Sequence, residues 1–243
     1  MSYTDLRFFG QILLSALFVL SNAACHHPGA TSAGAEPRRQ AEWRTDFGVK
    51  PGDFTSTGRN DYFILEPGYE QIYQSGREHL TIRVLSETRV VDGVETRIVE
   101  EREEKGGKLV EVSRNFFAID KRTNDAYYFG EEVDMYRDGQ IRSHDGGWLA
   151  GVKGAKFGLI MPAHPKVGDR YYQEQAPHQA MDRAEIVSVS ETLKTPAGSY
   201  SIVVKIKETT PIEADVSYKW YAAGVGLIRD DSCELIETHA GKK

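Results

Sequence analysis

His164, Asp169, Glu174, His178 and Asp182 crowd one stretch of the 243-residue chain. Brought together by a fold, these residue types could act as a general acid and base or ligate a metal. A second arrangement would use the acids alone. Glu131, Glu174 or Asp182 could form a carboxylate pair in which burial raises one pKa and the other stays ionised, the division of roles a hydrolase needs. No sequence signature commits the chain to either, because HExxH, Cys-x-x-Cys and Gly-x-Ser-x-Gly are all missing. Isolated loop histidines usually end exposed or hydrogen-bonded, so the pattern implies no metal and no cofactor and leaves the catalytic residues unassigned. Asp134, Tyr136, Asp138-Gly139 and Asp145 have the spacing of a calcium loop. However, Tyr at the second ligand position and Asp in place of the closing Glu argue against calcium, and Asp138-Gly139 reads as a hairpin turn.

Most of these groups lie in Trp148 to Asp182, the one irregular part of the chain. Gly151, Gly154 and Gly158 are followed there by Met161-Pro162-Ala163-His164-Pro165, Gly168-Asp169, Tyr171-Tyr172-Gln173-Glu174 and Pro177. A long Gly/Pro-interrupted segment in a regular fold is where a rigid scaffold usually carries its site. The same segment could instead plug or cover one end of that scaffold. Its glycines do not make a phosphate loop, since no Lys-Ser/Thr follows them.

The scaffold reads as all-β. Asp92-Gly93, Gly106-Gly107, Asp138-Gly139, Asp145-Gly146-Gly147, Pro196-Ala197-Gly198 and Gly224-Val225-Gly226 punctuate runs of β-branched and aromatic residues with period-two alternation. Ile82 and Val84 alternate with Thr81 and Arg83, and Val110 and Val112 with Glu111 and Ser113. Ile202, Val204 and Ile206 alternate with Lys205 and Lys207, and Val216, Tyr218 and Trp220 with Ser217 and Lys219. The apolar set of each run is expected to face the core. The pattern predicts an antiparallel meander of about ten to twelve strands, closing into a barrel or half-barrel to hide its edges. The charged run Glu100-Glu101-Arg102-Glu103-Glu104-Lys105 reads as a solvated hairpin tip.

The N-terminus carries an export signal. Arg7 precedes an apolar stretch from Phe8 to Leu20, too short for the ~20 residues of a membrane span but suited to a signal-peptide core. Ser21 and Ala23 satisfy ordinary signal-peptidase cleavage, while Leu20 to Cys25 resembles a bacterial lipobox with Asn22 where an aliphatic residue is usual. The organisation expected is a signal peptide at 1–24, a Gly/Ala/Pro-rich tether at 25–60 and one β domain at 61–240, with Cys25 as the lipidation site. The product would be exported, periplasmic or held at the outer membrane or cell surface, and would meet a membrane only through that anchor. Cys233 is the other cysteine of the chain and reads as a small buried strand residue. With 30 Lys+Arg against 36 Asp+Glu the net charge is −6, which argues against nucleic acid as a partner.

Several further motifs fall in a specific order. They are Phe116-Phe117-Ala118-Ile119-Asp120, Tyr128-Phe129-Gly130-Glu131, Trp148 with Ala150-Gly151, Gly154-Ala155, Gly158-Leu159-Ile160-Met161-Pro162, Tyr172-Gln173-Glu174, Asp182, Thr195-Pro196-Ala197-Gly198 and Gly224-Val225-Gly226-Leu227. Over about residues 61–230 this string resembles a widespread family of exported, mostly uncharacterised bacterial proteins. The C-terminal half is similar in architecture to curved-sheet envelope lipoproteins that cup apolar ligands. The family pattern has Gly where this chain has His178 and Pro where it has Ala223, so the resemblance gives His178 no catalytic role. It implies instead that Glu131, Trp148, Glu174 and Asp182 matter, for a ligand or for holding the Gly-rich segment in place, and with Tyr172 they are the candidate ligand-binding positions. Three functions follow: a non-enzymatic module binding an apolar small molecule, lipid or envelope partner protein; a carboxylate-based hydrolase; and a structural component of the envelope. Whether the barrel interior is hollow, polar or filled separates them.

Overall fold

The computed structural model describes residues 42–241. The signal peptide and Cys25 lie outside the described residues. Within them a short 3-10 turn at Pro51–Asp53 precedes eighteen strands. Three are minor: β1 (Phe54–Thr55), β2 (Gly58–Arg59) and β3 (Ile64–Leu65). Five form the first meander: β4 (Glu70–Ser75), β5 (Glu78–Val91), β6 (Val94–Lys105), β7 (Lys108–Asp120) and β8 (Ala126–Arg137). Short pieces follow: β9 (Gln140–Ser143), β10 (Trp148–Leu149), β11 (Lys156–Met161), β12 (Arg170–Tyr172) and β13 (Glu174–Gln175). The second meander comprises β14 (Arg183–Thr195), β15 (Gly198–Thr209), β16 (Val216–Ala222), β17 (Gly226–Asp230) and β18 (Cys233–His239).

The turn dipeptides place their strands as the sequence implies. Asp92 and Gly93 have φ of +48° and +75°, and Asp138 and Gly139 +53° and +73°, the paired positive angles of tight hairpins. The calcium-like spacing is therefore a hairpin between β8 and β9. Because β18 pairs antiparallel with β4, the two meanders join into one antiparallel sheet. Its main path runs β12-β14-β15-β16-β17-β18-β4-β5-β6-β7-β8-β11-β13. This path of thirteen strands is one more than the upper end of the expected range, and the sheet is nearly closed into a barrel with one seam.

The seam lies in the segment that looked irregular. Arg170–Tyr172 pairs with β14 at one edge of the sheet, and two residues later Glu174–Gln175 pairs with β11 at the other. Gly158 of β11 faces this crossing so closely that a Cβ would lie 2.4 Å from the carbonyl oxygens of Tyr172 and Gln173. The Gly-rich segment thus supplies strands that close the barrel. Gly130 does similar work in β8: its φ is +133°, and a Cβ would meet the Trp148 carbonyl at 2.3 Å, so only glycine lets β10 lie there.

Two expectations need correction. Residues 42–60 are not a free tether. Arg44 bridges to Tyr171, the Arg170 and Arg183 guanidinium groups stack over Trp43 at 4.2 and 4.6 Å, and Phe54 is buried against Tyr127, Phe129 and Phe157. The aromatic spacing at Trp43, Phe47 and Phe54 was the signal that this stretch belongs to the fold. Second, several alternating runs face the opposite way. Lys219 is buried while Trp220 is covered by Lys205 and Arg229. Glu101 and Glu103 of the supposed solvated tip are buried as well, and the tip itself is Gly106-Gly107. Alternation defines two faces but does not say which is covered.

Candidate functional site

The inward polar residues come from strands on opposite walls. β6 contributes Glu101 and Glu103, β7 Glu111, Ser113 and Asn115, β8 Glu131, β13 Glu174, β15 Glu208, β16 Lys219 and β17 Asp230, all buried. Asp182 lies just before β14 and is half-buried. Carboxylates almost never enter a core unless they are paired or protonated, and both occur here. The Lys219 ammonium donates to Glu208 Oε2 at 2.6 Å and lies 3.9 Å from Asp230 Oδ2. Burial pulls its pKa down, but Glu208 and Asp230 outweigh that and hold it above the usual lysine range. At the seam, Gln173 Nε2 donates to Glu208 Oε1 at 2.7 Å.

The remaining acids are shifted toward neutrality. Burial, reinforced by Glu103 and Glu131, raises Glu101 well above the ordinary carboxylate range. Glu174 rises likewise, through burial and the neighbouring Asp182, although its Oε1 accepts the Asp182 backbone N–H at 2.8 Å. Burial and Glu208 lift Asp182 to about 6, and burial lifts Asp230 to about 7. Among the described residues no three His, Cys, Asp or Glu side chains are placed to share a metal ion.

Four of the five candidate ligand-binding positions come together. Trp148 pairs with Glu131 across the β10–β8 ladder, and its indole stands edge-on to Tyr128 at 5.2 Å. Glu131 interacts electrostatically with Glu174, which contacts Asp182. Tyr172 goes elsewhere. In β12 the alternation turns Tyr171 inward, and Tyr172 packs outside against Trp43 at 6.4 Å. The histidines do not join the cluster either, since His164 and His178 are exposed. His178 has a φ of +67°, a left-handed turn position that suits the glycine of the family pattern. Cys233 is buried, and burial pushes its thiol up to about 12.

Two concavities reach this interior. An open polar groove of about 490 Å³ is lined by Arg114, Glu131, Asp134, His144, Trp148 and Gln179 among others. A more enclosed cavity of about 80 Å³ lies beneath residues 60–69, its walls formed by Phe63, Tyr69, Val84, Val99, Phe117 and Tyr128, with Glu101 and Asn115 also facing it. Phe63 packs edge-on against Phe117 at 5.1 Å, and Phe117 stacks on Tyr128 at 4.9 Å. The covering segment is fastened at both ends: Gly224 N–H donates to the Asp61 carbonyl at 2.7 Å, and the Tyr69 hydroxyl to the Val225 carbonyl at 2.7 Å. Sequence reasoning missed Glu101, Asn115, Glu208 and Lys219. Only their regular spacing in alternating strands marked them; for Glu101, Asn115 and Lys219 that signal was read with the wrong face inward, while Glu208 follows Val204 and Ile206 on the face expected to be covered.

No family model matches the chain, and no curated protein matches it significantly. Two solved structures are similar. One is described as a "putative lipoprotein" from Parabacteroides distasonis; it is 12% identical with a TM-score of 0.37, and the match covers 75% of this chain and all of the other. The second is described as a "putative exported protein with YmcC-like fold" from Bacteroides fragilis; it is 14% identical with a TM-score of 0.38, and the match covers 74% of this chain and all of the other.

Proposed function

We propose that this chain is an exported, lipid-anchored binding protein of the bacterial envelope, periplasmic or at the outer membrane or cell surface, and that it acts without catalysing a reaction. One end of a small amphiphilic molecule enters the cavity beneath residues 60–69. The observation that carries this reading is the combination of aromatic walls with the polar Glu101 and Asn115 in one enclosed cavity. A few polar groups set in a mostly apolar, preformed cavity are the usual make-up of a small-molecule site. The volume of about 80 Å³ is well below the ~300 Å³ of sites that enclose a whole ligand, so only part of the molecule is held. Export and anchoring rest on the Phe8–Leu20 apolar core and Cys25.

The convergence of Glu131, Glu174 and Asp182 keeps the carboxylate hydrolase in view, but access favours binding. The open groove reaches Glu131 and neither of the other two, and one Glu174 oxygen is already occupied by the Asp182 backbone. Thermal unfolding with an envelope lipid extract tests the binding reading. A ligand present at about a hundredfold over its Kd should raise Tm by roughly 5–10 °C. Val99→Phe, which would fill the cavity, should lose that rise. No rise with any extract fraction would sink the reading.

A further inference from the structure

The cavity floor holds a charge problem that the protein itself leaves open. Glu101 is only 4% exposed, and its side chain lines the cavity. No hydrogen bond reaches its carboxyl from the described residues. Two other buried acids are bonded: Glu208 takes Lys219 and Gln173, and Glu174 takes the Asp182 N–H. The two buried cations are committed elsewhere. Lys219 is bonded to Glu208, and Arg97 donates from Nε to the Ser56 carbonyl at 2.9 Å and from Nη1 to the Ser86 carbonyl at 2.5 Å. Asn115 beside Glu101 is likewise fixed: its Oδ1 accepts the Tyr128 hydroxyl at 2.7 Å, and its Nδ2 donates to Ser113 Oγ at 3.1 Å. A buried acid without a donor costs free energy, which a ligand that supplies the donor recovers.

Building on the binding reading above, we infer that the cavity is a site for the ammonium end of an amphiphilic amine, with the cation on Glu101 and the apolar tail leaving past Phe63. An ammonium group supplies both the missing donor and the missing positive charge. The walls suit it too, since the faces of Phe63, Phe117 and Tyr128 attract a cation as well as an alkyl chain. The small volume admits a head group, and the half-buried Tyr62 and Phe63 at the rim leave a tail a way out. An anionic or zwitterionic head is disfavoured, because Glu103, Glu131 and Glu111 stand around Glu101. A phosphate brought alongside the ammonium would face that acidic interior, so the occupant is a simple amine and not an aminophospholipid.

Binding is coupled to a proton. In the empty site burial together with Glu103, Glu131 and Glu111 pushes the Glu101 pKa up, and Lys219 opposes this only in part. Tyr73, Tyr128 and Tyr221 interact electrostatically with Glu101 from β4, β8 and β16. When an ammonium ion binds, Glu101 ionises and its proton passes to solvent. Affinity for an amine therefore rises with pH until it reaches the raised Glu101 pKa, and affinity for a neutral alcohol does not change.

The test is isothermal titration of the mature protein with decylamine, decanol and dihexanoylphosphatidylethanolamine below their micelle concentrations, at pH 6 and pH 8 and in two buffers of different ionisation enthalpy. Decylamine should bind about tenfold or more tighter than decanol and release a proton in the wild type, with the phospholipid weakest. Glu101→Gln should bring decylamine and decanol to equal affinity. Should that variant fail to fold, the proton release and pH dependence of the wild type decide the question alone. Equal binding of amine and alcohol, without proton release, overturns the ammonium site but leaves the cavity reading standing. Tighter binding of the phospholipid overturns the choice of a simple amine, and no binding by any of the three overturns the cavity reading and this inference together.

Discussion

The two faces of β8 and β16 reverse the usual division of a soluble barrel. Along β8, Tyr128 and Glu131 look into the cavity and the acid-lined interior, while Tyr127 and Phe129 look outward into a cluster of aromatic rings. Along β16, Lys219 points inward to Glu208, and Trp220 lies outside beneath Lys205 and Arg229 at 5.0 and 4.6 Å. The outer face is apolar because something covers it: residues 42–57 lie over β7, β8 and β11, and cations lie over β16. The inner face is polar because pairing and protonation neutralise it. Shape thus holds one face, while the number of bound protons holds the other, and the two should fail differently.

The largest effect is expected where the outer cover is removed. Phe54 meets Tyr127, Phe129 and Phe157 with ring centroids 5.3, 5.1 and 5.9 Å away. Phe54→Ala should cost about 4 kcal/mol by deleting a buried ring and leaving a cavity, read as a shift in the denaturant midpoint. Residues 42–57 should then become sensitive to limited proteolysis while the barrel still resists. A loss below about 1 kcal/mol would mean that this segment merely rests on the barrel.

The inner face should respond next. Lys219→Met leaves Glu208 and Asp230 without their cation, and breaking a buried pair in this way costs about 3–5 kcal/mol. The low end, about 3 kcal/mol, is expected because the acids can take up protons instead of remaining charged. The loss should therefore shrink at pH 5 and grow at pH 8. A pH-independent loss would mean that Lys219 acts through its packing and not its charge.

How much of this could be read from the sequence follows the same division. Dipeptides such as Asp92-Gly93 and Asp138-Gly139 encode positive φ locally, so the meanders were legible residue by residue. The seam was not. Arg170 to Gln175 reads as loop because its two halves pair with strands far away in sequence, and only the close approach at Gly158 requires the crossing. Glu131, Trp148, Glu174 and Asp182 do meet, but none of them lines the cavity beneath residues 60–69. Glu101 and Lys219 stayed hidden because a polar residue in an alternating strand ordinarily means solvent. Inside this barrel Lys219 meets Glu208 and Asp230 on the two neighbouring strands, and Glu101 faces a cavity, neither of which local pattern encodes.

The smallest and most discriminating effect concerns Asp182. Its folded pKa of about 6 stands above the ordinary aspartate value of 3.8, so between those values the folded protein keeps a proton that the unfolded chain has lost. Folding therefore takes up a proton there, and stability falls as pH rises across that window, by at most about 1.4 kcal/mol per unit. Above about pH 6 the two states are again matched and no further loss accrues. Asp182→Asn mimics the protonated acid at every pH and should escape this fall. Measured by denaturant unfolding, the variant should match the wild type below about pH 3.8 and exceed it by about 1 kcal/mol at pH 7.5, a discounted figure because Asp182 is only half-buried. Lys219 and the contact with Glu174 oppose the shift, so an Asn that loses the Glu174 contact would lower stability equally at all pH values. Parallel curves would therefore assign Asp182 a purely hydrogen-bonding role, and only a difference that opens between pH 4 and 6 fits an interior held together by its bound protons.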